Sequence, residues 1–352
     1  MIKPILALGG MSLSLLLGLA AQPAAAQQGQ QTTANKNYKP PKTPWGEPDL
    51  RGIWPLNHLI ATPFQRQKQY GDRRMMTDEE YAAAEQRAQA RNKRFESGAI
   101  PQADSGSGVL RLTSLLSFPE DGQFPALTPH GQELSNAMHG SYKPGQTVFD
   151  SPSDFDEWDR CITRGMPVSM EPRNYNNGLE IMQSPGYVEI VLEMAHEVRI
   201  IPTTPQPPPD PAIHTWLGIS RGHWEGNTLV VETTNFNGKG DLANAGVPGS
   251  PRLVPNSQEE HVTERFTRTG PDTIDFQMRV EDPDVIVSPF VVSYPMKLDN
   301  KYQMFEYACH EGNEAIRGYI VNSRYERAHP KPPGEGAGAR GRARRGGPPP
   351  EN

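Results

Sequence analysis

Residues 274–280 read Ile-Asp-Phe-Gln-Met-Arg-Val, and that alternation decides the fold class. Apolar Ile274, Phe276, Met278 and Val280 are separated by Asp275, Gln277 and Arg279, the period of two that a strand with one buried face requires. His261 to Arg268 precedes it, joined through Thr269-Gly-Pro-Asp272, a turn by composition, so the two runs predict a hairpin. Further out, Thr228-Leu-Val-Val-Glu-Thr-Thr234 follows a Gly226-Asn227 turn signal. Tyr187 to Met194 and Glu197 to Ile201 flank Ala195-His196 as in a second hairpin. Val285 to Tyr294 and Tyr302 to Ala308 add two more β-rich runs. No strand–helix–strand alternation interrupts the series. The expectation is a mainly β chain, an antiparallel lipocalin-like (calycin-like) β-barrel built chiefly from residues 45–60 and 180–327.

The first half reads differently. Thr77-Asp-Glu-Glu80 is a capping box, and the Ala-, Glu- and Arg-rich run behind it predicts a solvent-facing helix near 78–97. Residues 97–150, broken by five prolines, read as loop. With 36 Pro and 33 Gly in 352 residues, many turns and long connections are expected. The helix and the Pro-rich loops of 61–180 are expected to wrap one β domain spanning 45–330.

The chain ends carry the compartment. Lys3, an apolar run from Ile5 to Ala20 and Ala24-Ala25-Ala26 are the parts of a secretory signal over residues 1–26. Residues 27–44 read as a disordered linker and 331–352 as a disordered Arg/Gly/Pro-rich tail. That tail carries five Lys/Arg and two Glu, which leaves residues 27–330 at a net charge of about −10. So acidic a body excludes nucleic acid as a partner of the folded domain. No later stretch is apolar enough to span a membrane once the signal is removed, so a periplasmic or secreted protein is expected. In an oxidising compartment Cys161 and Cys309 are expected to form a disulfide, restricting the unfolded chain by about 4–5 kcal/mol in the entropic model.

A resemblance supports the architecture. Pro48-Asp-Leu-Arg-Gly-Ile-Trp54 is similar to the Gly-x-Trp opening strand of lipocalin-like barrels, whose Trp packs across the barrel floor. The phrases Arg160-Cys-Ile-Thr-Arg-Gly165, Trp216-Leu-Gly-Ile-Ser-Arg-Gly-His-Trp-Glu-Gly-Asn-Thr-Leu-Val-Val-Glu-Thr-Thr-Asn-Phe236 and Tyr307-Ala-Cys-His-Glu-Gly-Asn313 resemble a family of exported bacterial proteins, over about residues 43–327. The resemblance implies architecture and candidate positions and carries no activity. His223 stands where many relatives have Arg, and the tail lies outside the family pattern.

Two constellations offer chemistry. His196, His223 and His310, with Glu311 adjacent, have the donor types for Zn or Fe, but their spacing matches no metal motif, so no metal site is assigned. Arg160, Arg164, Arg199 and Arg221, with Glu193, Glu225 and Glu232, stand among apolar or β-forming residues, where Arg offers a fork for a carboxylate or phosphate and where Arg–Glu pairing is also the structural default. The five tryptophans are core residues first and ligand platforms second. There is no nucleophile elbow, zinc-protease helix, phosphate loop or dinucleotide fingerprint.

Two functions follow as expectations. The first is a protein binding a small apolar or aromatic, anionic ligand in the barrel pocket through Arg199, Arg221, Trp216 and His223. The second is a cofactor-free or metal-assisted lyase, isomerase or hydrolase using His196, Glu225 and Glu232 as acid–base groups. A structural envelope protein using the basic tail is a third. The hairpin around His196 and the segment 216–232 are expected to be neighbouring strands sharing one polar pocket. Cofactor and oligomeric state are not specified by the sequence.

Overall fold

The hairpin around residue 271 is the centre of the molecule. In the computed structural model, strands β10 (His261–Gly270) and β11 (Thr273–Glu281) pair antiparallel, with Phe266 opposite Phe276 and Val262 opposite Val280. The structure describes residues 38–94, 109–173, 175–244 and 246–330, apart from the side chains of Arg91 and Asn92. The expected signal, most of the linker, the last residues of the expected helix and the tail lie outside them. Val262, Phe266, Ile274, Phe276, Met278 and Val280 are all fully buried. Glu264 shares this buried face, and the residues at the alternate positions are partly exposed.

Around this hairpin the chain builds a six-stranded sheet in the order β2-β12-β11-β10-β7-β6. Its other members are β2 (Leu116–Phe118), β6 (Ile219–Glu225), β7 (Thr228–Thr234) and β12 (Phe290–Lys297). A tight turn at Gly226, whose φ of +61° suits glycine, joins β6 to β7. A second sheet has the order β1-β3-β4-β5, from β1 (Gly52–Ile53), β3 (Leu179–Ser184), β4 (Tyr187–Leu192) and β5 (Val198–Pro202). A third is the pair β8 (Asp241–Ala243) and β9 (Val254–Pro255). Every ladder in these sheets is antiparallel.

The two larger sheets enclose one core that includes Leu50, Trp54, Ile181, Ile190, Ile201, Phe266 and Phe276. Trp54 is fully buried and donates from Nε1 to the Leu50 carbonyl at 2.9 Å, so its one polar atom is satisfied inside the core. Among the described residues the sheets do not close onto one another. β5 runs beside β6 without a ladder. At the other end residues 299–300 take the free edge of β1, where Asp299 N donates to the Ile53 carbonyl at 2.9 Å and Ile53 N to Asn300 at 3.2 Å.

Helix α1 (Asp78–Arg94) begins at the expected capping box, with Glu80 N on Thr77 Oγ1 at 3.3 Å and Thr77 N on Glu80 Oε2 at 2.8 Å. It buries only Ala84 and Ala88. Three expectations are corrected. Residues 97–150 contain helix α2 (Pro129–Ala137), started by the Thr128 cap and by Pro129, whose missing N–H costs nothing at a first helical position. The last strand is Phe290–Lys297 and not 285–294, because Val285 and Ile286 turn back to donate to the Asp282 carbonyl. Residues 302–308 form no strand; they are an extended strap leading to helix α3 (Ala315–Ala328), whose presence the strand-rich reading overlooked. Among the described residues no helix is long and apolar enough to cross a membrane.

Candidate functional site

One buried group of charged residues lies in the loops at the end of the second sheet. Cys161 and Cys309 form the expected disulfide, with Cα atoms 5.7 Å apart. The bridge fastens the strap onto the loop 156–165, which brings the Tyr307 ring within 5.5 Å of Trp158 and 6.1 Å of Tyr175. The Arg164 guanidinium stacks on Trp158 at 3.4 Å from the ring centre. Arg164 is buried, its Nε has no partner, and none of its nitrogens donates to another described residue.

Behind this aromatic panel residues 171–173 and 175–178 are latched from inside. Asn177 accepts from Arg173 N at 2.6 Å and donates back to the Arg173 carbonyl at 2.6 Å. Glu193, fully buried, accepts from Asn176 Nδ2, Gly178 N, Tyr302 Oη and Phe305 N at 2.7–3.0 Å. Four donors to one carboxylate fix the loop and the strap against each other. A side chain at residue 178 would stand 2.6 Å from Glu193, so only Gly178 allows the approach.

The latched loop presents a recess lined by Arg164, Ser169, Glu171, Arg173, Asn176 and Met194, with a volume of about 20 Å³. That is room for one group the size of a water molecule. Arg173 spends Nη2 on the Val168 carbonyl at 2.8 Å and leaves Nη1 unpaired. Glu171 leaves both carboxyl oxygens unpaired. Both guanidiniums also lie against Gly246: a Cβ there would overlap Arg173 Nη1 and stand 3.1 Å from Arg164 Nη1. Two guanidiniums therefore converge on one small volume.

Burial dominates the electrostatics, because water no longer solvates the charges. It pushes Glu171 up to about 8 against the opposing pull of Arg173. Glu157 rises to about 9, through burial and the nearby Asp241 charge, and Asp241 rises to about 7. Asp156, at the same loop, rises to about 6. Burial presses Arg164 and Arg173 downward, Arg173 to about 9 with a further push from the Arg164 charge. Glu157 and Asp241 each keep one unpaired oxygen. The arrangement is thus rich in donors and acceptors that the protein itself does not use.

The residues singled out in the sequence fall in four places. Arg199 on β5 lies in the core, bidentate to Glu264 and also bonded to Ser220 at 3.2 Å. β5 and β6 are therefore neighbours, as expected, but Arg199 faces its own ion partner and lines no pocket with the others. His223, Glu225 and Glu232 stand exposed on the opposite, outer face of the six-stranded sheet, where Glu225 bonds His223 at 3.3 Å and Arg265 at 2.6 Å. Arg221 sits across from Glu232 in the ladder and donates to the Pro207 carbonyl. Trp216 is half-buried beside the bridge between Thr215 and Phe236. His196 is exposed but lies at the strap, its ring 3.3 Å from Tyr307 N. His310 is exposed one residue past the disulfide. Among the described residues no three His, Cys, Asp or Glu side chains are grouped to hold a metal ion. Glu171, Arg173, Glu157 and Asp241 were not singled out in the sequence, and the nearest signal was Arg164 beside the turn residues Asn176-Asn177-Gly178.

No family model, curated protein or solved structure matches this chain.

Proposed function

We propose that the protein binds a small aromatic molecule with an anionic group, and that it does so at the Arg164–Arg173 recess. One observation carries this reading. Two buried guanidiniums with unused nitrogens converge beside a partly exposed panel of Trp158, Tyr175 and Tyr307. Arg presents a planar fork that matches a carboxylate or phosphate, and the panel offers faces for a ring. The sheet interior is packed with side chains, so the ligand belongs at the loop end. Two sheets around one core support a lipocalin-like reading of the architecture, with the ligand at the mouth. The disulfide is compatible with an exported protein, the setting in which such binding would operate.

Titration calorimetry with 3-phenylpropionate tests it on the oxidised, full-length protein. Micromolar binding is expected, and Arg164→Met should weaken it roughly 10–100-fold, the loss of one charge-assisted contact. Wild-type protein that gives no heat with aromatic carboxylates or phosphates would end this reading. A second reading, an acid–base lyase, isomerase or hydrolase, is favoured by Glu171, a raised carboxyl with both oxygens free in the same recess. NMR of the ligand after incubation separates the two: a binding protein returns it unchanged.

A further inference from the structure

Resting on the binding site just described, we infer that its ligand is an aromatic hydroxy acid, with Glu171 reading the hydroxyl beside the carboxylate. Glu171 is two residues from Arg173, lines the same recess, and has both carboxyl oxygens unpaired while only 2 % exposed. A buried polar group without a partner is destabilising, so this pair of oxygens is unfavourable unless something bonds to it. Among the described residues none donates to it. The neighbouring Arg173 spends Nη2 on a backbone carbonyl and points its free Nη1 towards Arg164 and Gly246.

Size and charge narrow the chemistry. The volume of about 20 Å³ takes one water-sized group, so the hydroxyl enters and the carboxylate stays at the mouth against Arg164. The ring then stays outside, on Trp158 and Tyr307. An ammonium group would enter between two guanidiniums and meet like charge on both sides, whereas a hydroxyl is neutral. A hydroxyl also both donates and accepts, and so pairs with Glu171 whether or not that carboxyl holds its proton. At neutral pH it holds it, since burial raises Glu171 to about 8. An uncharged partner suits a neutral acid. Asn176, held by Glu193 at the rim, leaves its own carbonyl oxygen available to a second donor on the ligand.

The test compares three probes on the oxidised, full-length protein by calorimetry: 3-phenyllactate, 3-phenylpropionate and phenylalanine. They differ only in hydroxyl, hydrogen or ammonium at one carbon. Phenyllactate should bind at least tenfold more tightly than either of the others. Glu171→Leu should erase that preference and leave the phenylpropionate affinity within a few-fold of wild type. Glu171→Gln, which keeps a donor and an acceptor, should retain the preference, and it stands in if the leucine variant does not fold. Equal binding of phenyllactate and phenylpropionate would overturn the role of Glu171 and leave the Arg164–Arg173 site intact. Tighter binding of phenylalanine would replace hydroxyl by ammonium and equally overturn it. Binding of none of the three removes the site and this inference together.

Discussion

The molecule buries charge in two places, and the two places differ in what is left over. Between the sheets, Arg199 and Glu264 face each other with side chains 2 % and 0 % exposed, joined by two hydrogen bonds. Ser220 and Thr233 take further donors from the same guanidinium. In the loops and at the start of β8, Arg164, Arg173, Glu171, Glu157 and Asp241 are also buried, and each has at least one unpaired polar atom. Burial is common to both. Arg199 also keeps one unpaired nitrogen, Nε, but both its Nη atoms and both Glu264 oxygens are bonded, whereas neither Glu171 oxygen is; that larger spare capacity separates a pair that holds the sheets together from a group that can accept something from outside.

The largest effect should come from breaking the ion pair between the sheets. Arg199→Met leaves Glu264 charged and alone in the core, which should cost about 3–5 kcal/mol in urea unfolding. A loss below about 1 kcal/mol would show that Glu264 finds another partner, and the contrast between the clusters would weaken.

Titration of the loop cluster should be smaller and depend on pH. Glu157 ionises near 4.5 when unfolded and near 9 when folded. Between those limits the folded chain holds a proton that the unfolded chain has released, so stability falls as pH rises through that window. Replacing it by Gln should flatten the decline, which thermal melts at pH 5 and pH 8.5 would show. If wild type and Glu157→Gln lose the same number of degrees between the two pH values, the carboxyl is not held neutral in the fold.

Smallest of all should be the stability change on Arg164→Met, within about 1 kcal/mol, because Arg164 bonds no described residue and makes one stacking contact. This is the variant expected to lose ligand. A destabilisation matching that of Arg199→Met would place Arg164 with the structural pair and leave the recess without its anion fork.

The same contrast explains what could be read in the sequence. Strands β10 and β11 were legible because one face is buried, and burial imposes the period of two on 262–268 and 274–280. Trp54, Cys161 and Cys309 were legible by type. Arg199, Arg221, His223 and Glu232 drew attention for being charged among β-formers. In a sheet, though, such residues alternate between an ion pair inside and solvent outside, and both outcomes occur here. The loop cluster has no period. Glu157, Glu171 and Asp241 are spaced by turns and by the return of the chain at β8, and nothing local in the sequence marks them as neighbours. Helix α3 was missed because its sequence is mixed: Tyr319, Val321 and Tyr325 are exposed, and only Ser323 is fully inside.

The bond between Cys161 and Cys309 has a topological consequence. The chain between them contains every strand from β3 to β12, so nearly all of both large sheets lies within a single covalent ring; only β1 and β2 stand outside it. The exposed, proline-studded connection at 204–208 lies inside the ring. A cut there would open the ring without separating the pieces, and the part carrying Trp158 and Arg164 would stay tied to the part carrying Tyr307. The protein is thereby built so that a nick in this exposed loop leaves Arg164 and its aromatic panel on one molecule.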